Sequence, residues 1–158
     1  MPVTGVPTTP TVVSKDQVRM FLRDRAENNI LLDTVQFTDD DLNLALEMAV
    51  SNFNAVTPQT SMTPVSFPTH LRWVLLIGTV RFLLMSESFV QARNQATVQD
   101  GDVSPIGIDD KASLYSQLAK GLKEEWDELV RGIKTQQNLE SAYNSLGSGY
   151  RYVSRFNR

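Results

Sequence analysis

The residues able to do chemistry fall into a few groups. Asp39, Asp40 and Asp41 are consecutive, and Asp100, Asp102, Asp109 and Asp110 lie within one short stretch. Carboxylates so close together can hold a cation, but consecutive residues fan around a helix start and the second set matches no EF-hand spacing. Helix capping and Asp-Gly turn formation account for both sets, with a calcium site as the alternative for the second. His70 is the only histidine, beside Pro68 and Arg72, where a structural role is usual. A chain with one histidine and no cysteine has no thiolate nucleophile, no disulfide and no multi-histidine metal site. Gly147-x-Gly149 lacks the third glycine and the preceding strand of a dinucleotide loop, and no phosphate-binding Gly-Lys-Ser/Thr loop occurs. These absences predict no enzyme, no cofactor and no metal.

The remaining group is the last nine residues, where Tyr150, Arg151, Tyr152, Val153, Arg155, Phe156 and Arg158 alternate aromatic or apolar with basic side chains. Tyrosine and arginine dominate interface hot spots, and aromatics let a segment order in a partner's groove. A frayed terminus is the plainer alternative. Residues 100–137 hold eight acids against five bases, whereas 138–158 hold three arginines against Glu140, so the tail is chemically distinct.

The elements that position these residues read as helices. With 158 residues, 41% hydrophobic, 21% charged and a net charge of −3, the chain has one domain's length and no globally basic surface for nucleic acid. Met1 to Val13 has no Lys or Arg and no long apolar run, which predicts no export signal. Its prolines and threonines predict an extended arm over 1–13. Ser14 and Gln17 have capping-box spacing and Val13 and Val18 staple spacing, opening a first helix over about 14–26. Asn28 and Asn29 suit its end, and Ile30, Leu31 and Leu32 pack a loop onto the core.

Thr38 caps a second helix over about 39–56, with Phe37 stapled to Leu42, inward positions Leu42, Ala45, Leu46, Ala49 and Phe53, and an end at Thr57-Pro58. A proline-rich connection follows. Leu71 to Met85 is apolar at 11 of 15 positions, interrupted by Arg72, Gly78, Thr79 and Arg81, which predicts a buried central helix over 68–88 rather than a membrane span. Arg72, Thr79 and Ser86 form its polar stripe. Thr97 to Ser104, around Asp100-Gly101, reads as a short hairpin within a loop of about 94–108. A last helix over 110–137, capped by Asp109 or Asp110, would be about 40 Å long. Its apolar line is Leu114, Leu118, Leu122, Trp126, Leu129 and Ile133, and its outer face pairs Lys120 with Glu124, Lys123 with Asp127 and Asp127 with Arg131. Trp73 and Trp126 are expected in the core. Ser145 to Gly149 reads as a flexible break. The expected organisation is an all-α bundle of about four helices: an arm at 1–13, a helical domain at 14–137 with a hairpin-like loop, and a docking tail at 138–158.

The order of these segments resembles the head-to-tail connector, or adaptor, proteins of tailed bacteriophages. The resemblance rests on Val18-Arg19-Met20-Phe21-Leu22-Arg23-Asp24, on Phe37-Thr38-Asp39-Asp40-Asp41, and on Asn52-Phe53-Asn54 before the proline-rich connection. Gln91 to Gly101, Asp110-Lys111 and Glu125-Trp126 add to it. It implies a virion protein of the phage neck, made in the host cytoplasm, that joins the portal protein to a downstream stopper or tail protein and helps retain packaged DNA. It implies self-assembly into a ring of about twelve copies, only passive contact with DNA, and no membrane. The C-terminal segment of such adaptors inserts against the portal, matching Tyr150 to Arg158. The loop faces neighbouring subunits or the next neck protein, matching Gln99, Asp100, Gly101, Asp102 and Val103. The alternative from the residues alone is a small helical DNA-binding or regulatory protein using the basic tail on phosphates.

Overall fold

The structure is a computed structural model; it describes residues 11–29, 34–94 and 111–153, with side chains to residue 143. The arm over 1–10, Ile30, Leu31 and Leu32, the hairpin with Gln99 to Val103, the Asp109 or Asp110 cap, and Arg155, Phe156 and Arg158 lie outside the described residues. So do the side chains of Tyr150, Arg151, Tyr152 and Val153.

The chain is all-helical: α1 (Lys15–Leu22), α2 (Asp39–Ala55), a 3-10 turn (Thr69–Leu71), α3 (Arg72–Asn94) and α4 (Lys111–Val153). No strand occurs among the described residues. α3 packs along α4 on one side and α2 on another, and α1 touches α2 and α3 at the edge. Residues 69–94 are long and apolar enough to cross a membrane, with a window of mean hydropathy 1.6, and half of that window is buried inside the bundle.

Both expected caps form. Ser14 Oγ accepts from Gln17 N at 3.3 Å while Gln17 Oε1 accepts from Ser14 N at 3.0 Å. Thr38 Oγ1 accepts from Asp41 N at 3.2 Å while Asp41 Oδ2 accepts from Thr38 N at 2.9 Å. Each box satisfies two backbone donors that the first helical turn otherwise leaves unpaired. The cap hydrogen bonds hold the Asp41 carboxyl below its ordinary range, and Arg19 and Lys15 do the same to Asp39. Two of the three acids are thus engaged, Asp41 in starting α2 and Asp39 in pairing it with α1.

Several elements depart from expectation. Val13 is fully buried with Val18, so the ordered chain includes Thr11 to Val13, and Val12 N donates to Pro64 O at 3.4 Å. α1 ends at Leu22 rather than near 26, because Arg23 takes a left-handed φ of 57° and turns Asp24 inward. The buried Asp24 carboxylate accepts from Gln36 N at 2.6 Å, Phe37 N at 3.0 Å, Asn29 Nδ2 at 2.8 Å and Arg19 at 3.0 Å. Four donors on one carboxylate outweigh the cost, about 1 kcal/mol, of a non-glycine residue at positive φ.

α3 runs to Asn94 instead of 88, and its polar stripe is not uniform. Thr79 is fully buried, its Oγ1 donating to Leu75 O at 2.8 Å one turn back. A threonine satisfied by its own helix needs no water.

α4 does not stop near 137; its backbone continues helically through residues 145–149 to Val153. No proline follows Pro105, and extending an existing helix costs far less than starting one. The inward line also differs: Ala119, Trp126, Val130 and Lys134 are buried, whereas Leu114 is 56% and Leu118 50% exposed. Steps of four residues advance about 400°, so a 4,4,4 line slides around the helix by about 120° between Leu114 and Trp126. The two cannot face the same neighbour.

The cap geometry gives two expected outcomes. Thr38→Ala should lose about 1 kcal/mol, read from the midpoint of urea unfolding. Because the Asp39 and Asp41 carboxyls sit below their ordinary range in the folded chain, their contribution is present near neutrality and lost as pH falls through those depressed values. Asp41→Ala should therefore flatten the acid limb of a stability-versus-pH curve.

Candidate functional site

Where α3 crosses α4 the sequence meets a geometric demand: two helices close together, with a tryptophan between them. Gly78 meets it. A Cβ at that position would sit 2.8 Å from Trp126 Nε1 and 3.2 Å from the Ala49 methyl. Trp126 is 3% exposed and fills the place where α2, α3 and α4 converge.

Beside Trp126 lies Arg81, the one arginine among the buried residues described. Its guanidinium carbon stands 4.0 Å above the Trp126 ring and 4.8 Å from that of Phe82. Stacking of this kind in a desolvated setting contributes about 2 kcal/mol. Its nearest acceptor is Asp127 Oδ1 at 3.9 Å, while the other Asp127 oxygen accepts from Lys123 at 2.5 Å. Arg81 donates no hydrogen bond within 3.5 Å among the described residues, although its side chain is only 8% exposed. Burial pushes the guanidinium below its ordinary value, and Asp127 opposes that in part.

These groups wall a half-open cavity of about 580 Å³, whose lining includes Asn52, Phe82, Met85, Ala119, Lys120 and Lys123. Asp127 is the one carboxylate on that wall, against Arg81, Lys120 and Lys123. A smaller hollow of about 270 Å³ shares Val56, Trp126 and Asp127 with it and ends at Lys134 and Asn138. Lys134 is 2% exposed, lies 4.2 Å over the Phe53 ring, and donates to Pro58 O at 2.8 Å and Thr60 Oγ1 at 3.3 Å. Burial lowers its pKa. Asn54 ties the same loop by donating to Met62 O at 2.8 Å and accepting from Met62 N at 3.1 Å. The cavity is shaped for an amphipathic, negatively charged group: apolar walls, a cationic floor and unused guanidinium donors. Among the described residues no three His, Cys, Asp or Glu side chains converge to hold a metal.

A second face of the α3–α4 layer also differs from expectation. Trp73 is 47% exposed, packed edge-on to Phe21 at 5.7 Å, with its Nε1 donating to Glu125 Oε1 at 3.3 Å. A tryptophan one residue into a helix, before the covering helices have closed over it, keeps one face in solvent. Of the sequence-derived site, Tyr150, Arg151, Tyr152 and Val153 stand on the helical end of α4, with their side chains outside the described residues, as are the other named tail and loop residues. Arg81, Lys134 and Asp24 were not read from sequence as site or anchoring residues. Arg81 carried a signal, a charge inside an apolar helix with no i±4 acid. Lys134 carried none, since its acceptors are 74 and 76 residues away.

Comparison of the chain with protein-family models, with curated proteins and with solved structures returns no match.

Two substitutions test this geometry. Gly78→Ala should cost about 1–3 kcal/mol by overpacking Trp126, against the roughly 1 kcal/mol that alanine gains as a helix former elsewhere. Arg81→Met, which keeps an apolar stem but removes the cation stacked on Trp126, should cost about 1–2 kcal/mol. Denaturant midpoints read both.

Proposed function

We propose that this chain is a non-enzymatic structural protein of the bacteriophage neck, an adaptor that assembles as a ring and links the portal vertex to the next neck or tail component. The observation that carries the proposal is the way α4 leaves its own core. At 43 residues it extends about 64 Å, against about 35 Å for the 23-residue α3 beside it. Its last residue described as buried is Lys134, and beyond it Leu139 is 53% and Tyr143 69% exposed. A helix that outruns its partners while still presenting apolar side chains is built to be covered by another molecule. The backbone continues helically into Tyr150, Arg151, Tyr152 and Val153, the start of the aromatic and basic segment that also holds Arg155, Phe156 and Arg158 in sequence. Repeated around a symmetric portal, contacts that are individually weak sum to a stable layer.

The cationic cavity and the exposed Trp73 edge supply lateral surfaces of the kind a ring needs. The resemblance seen in the sequence supplies the location. Packaged DNA would pass such a ring without being held, since the chain as a whole is acidic.

The test is a mass measurement. Wild-type protein mixed with portal rings from the same phage should add a saturating stoichiometric layer in light scattering. A variant lacking residues 145–158 should add none while keeping a strongly helical far-ultraviolet spectrum. Portal mass that stays unchanged with the wild type would exclude the adaptor role.

A further inference from the structure

We propose that the Arg81 cavity is one half of a subunit interface, and that its occupant is the Trp73–Glu125 face of a second copy of this chain. The two surfaces use different faces of the same helix pair, opposed on α4 and turned by about a quarter to half a turn on α3. On α4, Lys123 lines the cavity and Glu125 hydrogen-bonds Trp73; two residues apart, they stand about 200° apart around the helix. On α3, the cavity residues Arg81, Phe82 and Met85 stand about 80°, 180° and 120° around the helix from Trp73. One copy therefore shows a different face to each side.

The faces are complementary. The cavity side offers Arg81, Lys120 and Lys123, with Met85 at 49% and Phe89 at 64% exposed beyond them. The other side offers the exposed carboxylates Glu125 and Glu128 beside Trp73 and the half-exposed Leu118. Base with aliphatic and aromatic surface meets acid with aliphatic and aromatic surface. The Arg81 side chain, 8% exposed at the cavity wall, has no hydrogen-bond acceptor within 3.5 Å among the described residues, and an entering carboxylate supplies one. A contact joining two different faces repeats from copy to copy and closes into a ring when the rotation permits. The interface deepens the neck reading, on which its closure into a ring rests; the pairing of the two faces is tested without a portal.

Lys120, Lys123, Glu125 and Glu128 are surface or rim positions, so their charge can be reversed without unfolding the bundle, which a far-ultraviolet spectrum checks. Sedimentation velocity of the full chain in low salt should show reversible self-association of the wild type, driven toward monomer by added salt. Lys120→Glu with Lys123→Glu should weaken association about tenfold or more, and so should Glu125→Lys with Glu128→Lys, because each places like charges face to face. An equimolar mixture of the two variants should regain association, since each reversed face then meets an opposite charge on the other variant. A wild type that stays monomeric at near-millimolar concentration, or a mixture no better than its components, overturns the interface. A wild type that layers on portal rings yet never self-associates fails this interface and spares the neck role; association rescued by mixing, with no portal binding, does the reverse.

Discussion

The structure depends on the burial of one helix. α3 is apolar on most of its circumference, and water must be kept from Val74, Leu75, Ile77, Val80, Leu83 and Leu84 together. Each large aliphatic side chain removed from water contributes about 1.5–3 kcal/mol. A helix so apolar cannot lie on a surface, so α2 and α4 must close over it from two directions. Their approach sets the demands met by Gly78, which admits Trp126, and by Thr79, which bonds its own helix.

Once that layer is closed, the polar groups caught in it need partners, and each finds a different kind. Asp24 collects four donors and so latches the segment between α1 and α2. Lys134 reaches over Phe53 to a carbonyl and a hydroxyl of the proline-rich connection, so a buried ammonium fastens a loop to α4. Arg81 differs from both. Its aromatic stack shields it, but its nearest carboxylate is 3.9 Å away and already engaged by Lys123. Two of these buried charges are satisfied by folding alone, and the third is left with donors unused at the wall of a cavity.

Length and covering together connect the fold with assembly. α3 is matched by neighbours along most of its course, whereas α4 exceeds them by several turns and keeps exposed apolar residues on the excess. The two lateral faces of the α3–α4 layer differ in charge while both carry aromatic surface. In the proposed neck layer, the protruding end of α4 and the two lateral faces would let axial and lateral contacts use separate surfaces.

Much of this was legible in the residues. The Ser14 capping box, the Thr38 cap, the α2 inward face, the burial of the third helix and the all-α class follow from local spacing, because caps and helical periodicity are satisfied within a few residues of chain. What local spacing could not show was which side of α4 turns inward. Leu114 and Leu118 look like core and are half exposed, whereas Ala119 and Lys134 look like surface and are buried. Trp73 and Trp126 are alike as residue types, but only Trp126 meets a glycine on the helix opposite. Nor could spacing show that Arg81 would stand between two rings, or that α4 would continue past 137. The sequence by itself determined where helices begin and which one is central, since hydrogen-bond caps and apolar content are properties of short segments. The tertiary structure alone decided which face of α4 is buried and that Arg81 stands against Trp126 at a cavity wall, because those depend on helix crossings between residues tens of positions apart.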